Sequence, residues 1–138
     1  MASLIYNSAI FDASTGAIDF DTDTFKMMLV TSSYTAAKTH MKRNAVTNEV
    51  SGTGYTAGGN AAAATVTKDD TNSRVDITFA ITSWTSSTIT ARAGVIYKSR
   101  GGASSADELV GYVDFGSDVS STSGTFSVTI TSPLRFQN

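Results

Sequence analysis

The stretch "NEVSGTGYTAGG", residues 48–59, gathers Gly52, Gly54, Gly58 and Gly59 from a chain that has eleven glycines in all. A phosphate cradle needs G-x-x-x-x-G-K-[ST] between a strand and a helix, because backbone amides and a helix N-terminus hold the anion while the lysine supplies charge. Here Gly54 is followed by Tyr55, Thr56, Ala57, Gly58, Gly59 and Asn60, with no lysine. The dinucleotide pattern G-x-G-x-x-G fails at Ala57, and the following "NAAAATVTKDD" reads as a strand instead of a crossover helix. The stretch therefore predicts a shaped loop with positive φ angles and close backbone approach, with Tyr55 at its centre as a candidate contact residue.

"DFDTDT" sets Asp19, Asp21 and Asp23 at alternate positions, which invites a calcium reading. An EF-hand loop begun at Asp19 requires Gly at its sixth place and Glu at its twelfth, where this chain has Thr24 and Val30. Three solvated carboxylates around Phe20 are the simpler expectation. His40 is the single histidine, no G-x-S-x-G surrounds a serine, and Glu49 and Glu108 are the only glutamates. No catalytic residue, metal ligand or cofactor site is assigned, and the expectation is a protein that is not an enzyme. Lys38, Lys42 and Arg43 with His40 make one basic cluster, read as a solvated loop or as the complement of an acidic partner.

Those groups must be carried by something, and the composition points to strands. Of 138 residues, 41% are hydrophobic and only 16% charged, with about 40 Ser and Thr in place of the missing charge. Thr favours the pleated, half-buried surface of a sheet. A net charge of -2 and a pI near 5.1 argue against nucleic acid or anionic membrane surfaces as partners. With no cysteine, the fold holds by packing alone. The opening residues have neither the basic region nor the long apolar run of a secretory signal or membrane helix, so a soluble protein made in the cytoplasm is expected.

Period-2 alternation recurs along the chain. "RVDITFAI" sets Val75, Ile77, Phe79 and Ile81 against Arg74, Asp76 and Thr78, and "TFSVTIT" sets Phe126, Val128 and Ile130 against Ser127, Thr129 and Thr131. "TITARAGVIYK" places Ile89, Ala91, Ala93, Val95 and Tyr97 on one face. "ELVGYVDFG" is apolar on both, with Leu109, Val113 and Phe115 opposed to Val110 and Tyr112. "SRGGASSAD" and "KDDTNS" read as hairpin connections. "TFKMMLVTS" reads as a strand covered on both faces, with Phe25, Met27 and Leu29 in the core. The expectation is an all-β, mostly antiparallel fold, a β-sandwich or small barrel, with a long loop or short helix around residues 35–50. It forms a single domain over 1–138 with an N-terminal arm at 1–12 and a C-terminal tail at 133–138 after the sole proline, Pro133.

Both ends are more apolar than a free tail needs. Leu4, Ile5, Tyr6, Phe11, Leu134 and Phe136, with Ile10 beside them, either complete the sandwich or, with Tyr55, are the candidate contacts to another subunit or partner.

Taken together, "GAIDFDTDTFKMMLVTSSYT", "NEVSGTGYTAGG", "TITARAGVIYK" and "DELVGYVDFG" resemble small virion structural proteins of tailed bacteriophages, over about residues 6–126. The join of "NEV" to "GTGYTAGG" is the most specific part of the likeness. The resemblance implies a decoration or cement protein on the capsid exterior, a homotrimer bound to the major capsid protein, without a catalytic motif. Two other readings stand beside it: a tail or connector protein, and a carbohydrate-binding module in which Tyr6, Tyr34, Tyr55 or Trp84 would stack on sugar rings.

Overall fold

The structure, a computed structural model, describes residues 2–138. Its strands are β1 (Leu4–Ile5), β2 (Phe25–Val30), β3 (Asn60–Asp69), β4 (Arg74–Ile81), β5 (Trp84–Lys98), β6 (Leu109–Phe126) and β7 (Leu134–Gln137), with one α-helix, α1 (Asn7–Thr15). The described strands lie in the order β1-β6-β5-β2-β3-β4-β7, and every pairing is antiparallel. The fold is thus mostly antiparallel β, as the alternation predicts. The loops 99–108 and 70–73 connect hydrogen-bonded neighbours, β5 to β6 and β3 to β4.

Strand β2 sits in the middle and has no wet face. Phe25, Met27 and Leu29 enter a first core with Trp84, Ile77 and Phe126, while Met28 and Val30 enter a second with Tyr6, Val95 and Tyr97. This is why its sequence runs apolar without a break from Met27 to Val30 instead of alternating. Strand β3 pairs with β2 only through Asn60 and Ala61, then with β4 from Ala62 to Asp69. Its small "NAAAA" opening lets the chain pass from one neighbour to the other.

The long strands break the simple alternation. Along β5, Ile89 and Ala91 belong to the first core, whereas Ala93, Val95 and Tyr97 belong to the second. The change coincides with a register shift against β6 between Ala91 and Ala93, and an irregularity of this kind re-aims the side chains beyond it. A further shift at Ile96/Tyr97 leaves Val110 out of phase. Leu109 then shares the second core with Tyr112, and Val110 lies with Val113 and Phe115 at the first, which corrects the grouping expected from spacing.

The ends are built into the fold. Met1 lies outside the described residues; the rest of the expected arm is β1, paired with β6 at Tyr112 and Gly111, and the helix α1. Gly16 closes that helix with φ 85°, the left-handed conformation glycine adopts cheaply. Only Ser8 and Ala9 of α1 are buried, so its sequence has almost no apolar periodicity to announce a helix. The expected tail is β7, hydrogen-bonded to β4, and Pro133 precedes this strand instead of ending one. In the 35–50 region one 3-10 turn, Arg43–Ala45, interrupts irregular chain.

"TFSVTIT" is the strand signal that does not become a strand. Val128 and Ile130 do pack on the first core, but the ladder of β6 with β5 ends at Trp84–Phe126. Because β5 begins at Trp84, the chain past Phe126 has no neighbour on that side. Among the described residues the backbone of 127–131 makes no hydrogen bond to other backbone. In a hydrogen-exchange measurement the amides of Val128 to Thr131 are expected to exchange far faster than those of Met27 to Leu29, although both sequences read as strands. Equal protection would show that the segment is paired.

Candidate functional site

The glycine loop is braced from inside. Gly59 lies so close to β2 that an added Cβ would meet the Met27 carbonyl oxygen, and its φ of 80° is left-handed. The Tyr55 hydroxyl accepts the Leu29 N–H of β2 at 3.0 Å and donates to Glu49 Oε1 at 2.6 Å, and the same carboxylate oxygen accepts the Gly58 N–H at 2.6 Å. From the far side the Tyr97 hydroxyl donates to the Gly58 carbonyl at 2.5 Å. Burial, and then the adjacent Glu49, raises the Tyr55 pKa strongly, so the phenol stays a neutral donor. The residues that could have cradled a phosphate instead dock the loop onto the central strand. Tyr55 is half-buried with its ring stacked on Trp84, so its hydroxyl is not offered to a partner.

A second constellation joins the 38–48 segment to the start of β6. Asp107 and Glu108 are each 1% exposed. Arg100 grips Glu108 through two bonds of 2.6 and 2.7 Å, with Lys42 at 3.8 Å, and Arg43 donates to Asp107 at 2.7 Å. The Arg100 hydrogen bonds hold the Glu108 carboxyl below the usual glutamate range. Arg43 also lies 5.0 Å from the Tyr97 ring centroid, and burial pushes the Tyr97 phenol up to about 12. Two of the three cations in the basic cluster are thereby committed to internal partners. This arrangement was not legible in advance, because its carboxylates lie more than 60 residues downstream.

His40 is half-buried, with Nδ1 2.9 Å from the Tyr34 hydroxyl, which in turn meets the Tyr6 hydroxyl at 2.9 Å. Burial and then the Tyr34 contact raise the Tyr6 pKa. This chain of polar groups anchors the end of β1 to the 34–40 loop. In the acidic stretch, Asp23 accepts the Asp19 N–H at 2.8 Å and pairs with Lys98 at 2.8 Å, so these residues tie a turn to β5. Among the described residues, no group of three His, Asp or Glu could hold a metal ion.

The seven candidate contact residues separate clearly. Tyr6 is 0% exposed and belongs to the second core, so it is corrected from contact to core. Leu4, Ile5 and Leu134 are half-buried and line a cavity of about 1020 Å³ between β1, β6 and the 127–135 segment. Phe11 and Phe136 are open, at 67% and 46% exposed. Ile10, at the same apolar end, and Met41, which the sequence reading did not single out, are equally open, and Ser8 Oγ ties α1 to the Met41 carbonyl at 3.4 Å. Trp84 and Tyr34 are buried with Tyr6, which removes most of the aromatic platform that sugar stacking would use. No helix is long and apolar enough to cross a membrane among the described residues.

Comparison with protein-family models, with curated proteins and with solved structures finds no match.

Two outcomes follow from this geometry. Tyr55→Phe leaves the buried Leu29 amide without its acceptor and the half-buried Glu49 without one donor, and is expected to lower unfolding stability by about 1–3 kcal/mol in a denaturant titration. Gly59→Ala should cost more than Gly16→Ala, since both sites have positive φ but only Gly59 is pressed on a neighbouring strand. The pH dependence has a definite sign. Because the folded Glu108 pKa is depressed, its contribution is present above the ordinary glutamate value and lost as pH falls through the folded one. Stability should drop below roughly pH 4, and Glu108→Gln should show a shallower acid limb.

Proposed function

We propose that this chain is a structural virion protein of a tailed phage, a decoration protein that binds the capsid exterior, associates with itself and stabilises the head. The observation that carries the reading is the placement of its open apolar side chains. Phe11 and Phe136 stand exposed on elements from the two chain ends, while the polar groups capable of chemistry are spent on internal braces. A protein whose work is to hold a lattice needs a rigid body and apolar anchors at its margins. The likeness of "NEVSGTGYTAGG" and its companion stretches to phage virion proteins supplies the particle, the major capsid protein as partner and the trimeric state. Nucleic acid and membrane have no place in this reading.

The internal bracing also suits a protein that must persist outside a cell. A tail or connector role uses the same features, and differs in predicting larger rings or polymers where decoration predicts a closed trimer.

The test is addition of the purified protein to particles that lack it. Bound protein on the capsid surface, with higher resistance of the particle to heat or chelator, is the expected result. Sedimentation with tail fragments and never with capsids would reject the decoration role.

A further inference from the structure

The most exposed aromatic side chain stands next in sequence to a residue that lines the cavity between β1, β6 and the 127–135 segment. Phe11, in α1, is 67% exposed, and its neighbour Ile10, 55% exposed, is itself part of the cavity wall. Leu4, Ile5, Val113, Phe115, Val128 and Ile130 supply apolar surface to the same cavity, whose volume of about 1020 Å³ exceeds what one aromatic ring needs. An apolar knob therefore stands beside an apolar hole that it does not fill.

The charges at this face are uneven in a matching way. Of the ionic groups at the cavity, Asp114 is bonded to Arg92 at 3.0 Å and Arg135 to Asp76 at 2.6 Å. Lys38 also lines the cavity, is exposed, and has no ion pair among the described residues; its carbonyl accepts the Asn7 N–H at 2.8 Å, which fixes it beside α1. Asp12, next to Phe11, is half-buried and likewise has no ion pair among the described residues. Burial raises its pKa, and of the charges around it that of Lys42 acts most strongly.

We infer that this face is a self-interface, in which Phe11 of one copy enters the cavity of the next and Asp12 pairs with the Lys38 it meets there. The inference rests on the self-association in the proposed function and names its contact. Each copy gives one knob and receives one, and where the rotation between copies closes, every cavity in the oligomer is filled. The buried aromatic supplies the affinity and the rim charges set the register.

The test is the solution mass of the full chain by sedimentation equilibrium over a range of concentrations. The wild type should form a closed oligomer. Phe11→Ser should weaken association by about tenfold or more while the melting of the dilute monomer is unchanged, since the side chain is open in the monomer. Lys38→Glu and Asp12→Lys should each weaken association, and the two together should restore it. A monomeric wild type, a Phe11→Ser protein that associates as the wild type does, or a double exchange no better than either single one would overturn the interface. Particle addition, measured on the same proteins, separates this from the wider reading. A monomer that still coats capsids rejects the interface alone, and a Phe11-dependent oligomer that never coats them supports the interface and rejects the capsid role.

Discussion

The contact on which the rest of the structure depends is the seating of the glycine loop against β2. At that place the Leu29 amide and the Met27 carbonyl, both inside the sheet, face a loop that has neither a strand's regular ladder nor room for side chains. A buried amide without an acceptor is costly, and the chain meets the need with a phenol whose proton is drawn off to Glu49. Because Glu49 also holds Gly58, and Tyr97 holds Gly58 from β5, one short loop locks the central strand to its neighbour. The two cores on either face of β2 are kept in register by this clasp.

Around that centre the remaining polar groups follow the same economy. Asp107 and Glu108 sit at the mouth of β6, almost without exposure, and each has an arginine aimed at it from a separate segment. Removing a carboxylate from water is expensive, and such pairs are better understood as fixing where segments meet than as a source of net stability. They hold the 38–48 region, poor in regular structure, in one place. Tyr6, Tyr34 and His40 do the same for the first strand, through hydroxyls instead of charges.

What the sequence made legible was governed by local periodicity. β2 and β4 are readable because their side chains alternate or run apolar according to how many faces are covered. The bulged parts of β5 and β6 are not, since a register shift is a property of two strands and leaves no mark in one. "SVTIT" carries the pattern of a strand without a partner strand, so pattern and ladder part company there. The helix α1 escaped notice because it buries so little. Among the contact candidates, Phe11 and Phe136 stayed on the surface while Tyr6 vanished into the core, a distinction that depends on packing from residues 28 to 112. The glycine loop was recognisable as a shaped element, but its partner, the Leu29 amide, was not.

The two margins of the sheet are also the two ends of the chain. β1 holds on by two residues and β7 by four, whereas β5 and β6 share a long bulged ladder. Local opening is cheapest where fewest bonds and contacts are lost. The molecule is therefore built to fray from both termini inward, releasing its outer strands one at a time before the clasped centre yields. A pull on either end meets weak resistance first and strong resistance later, which makes the termini compliant tethers on a stiff block.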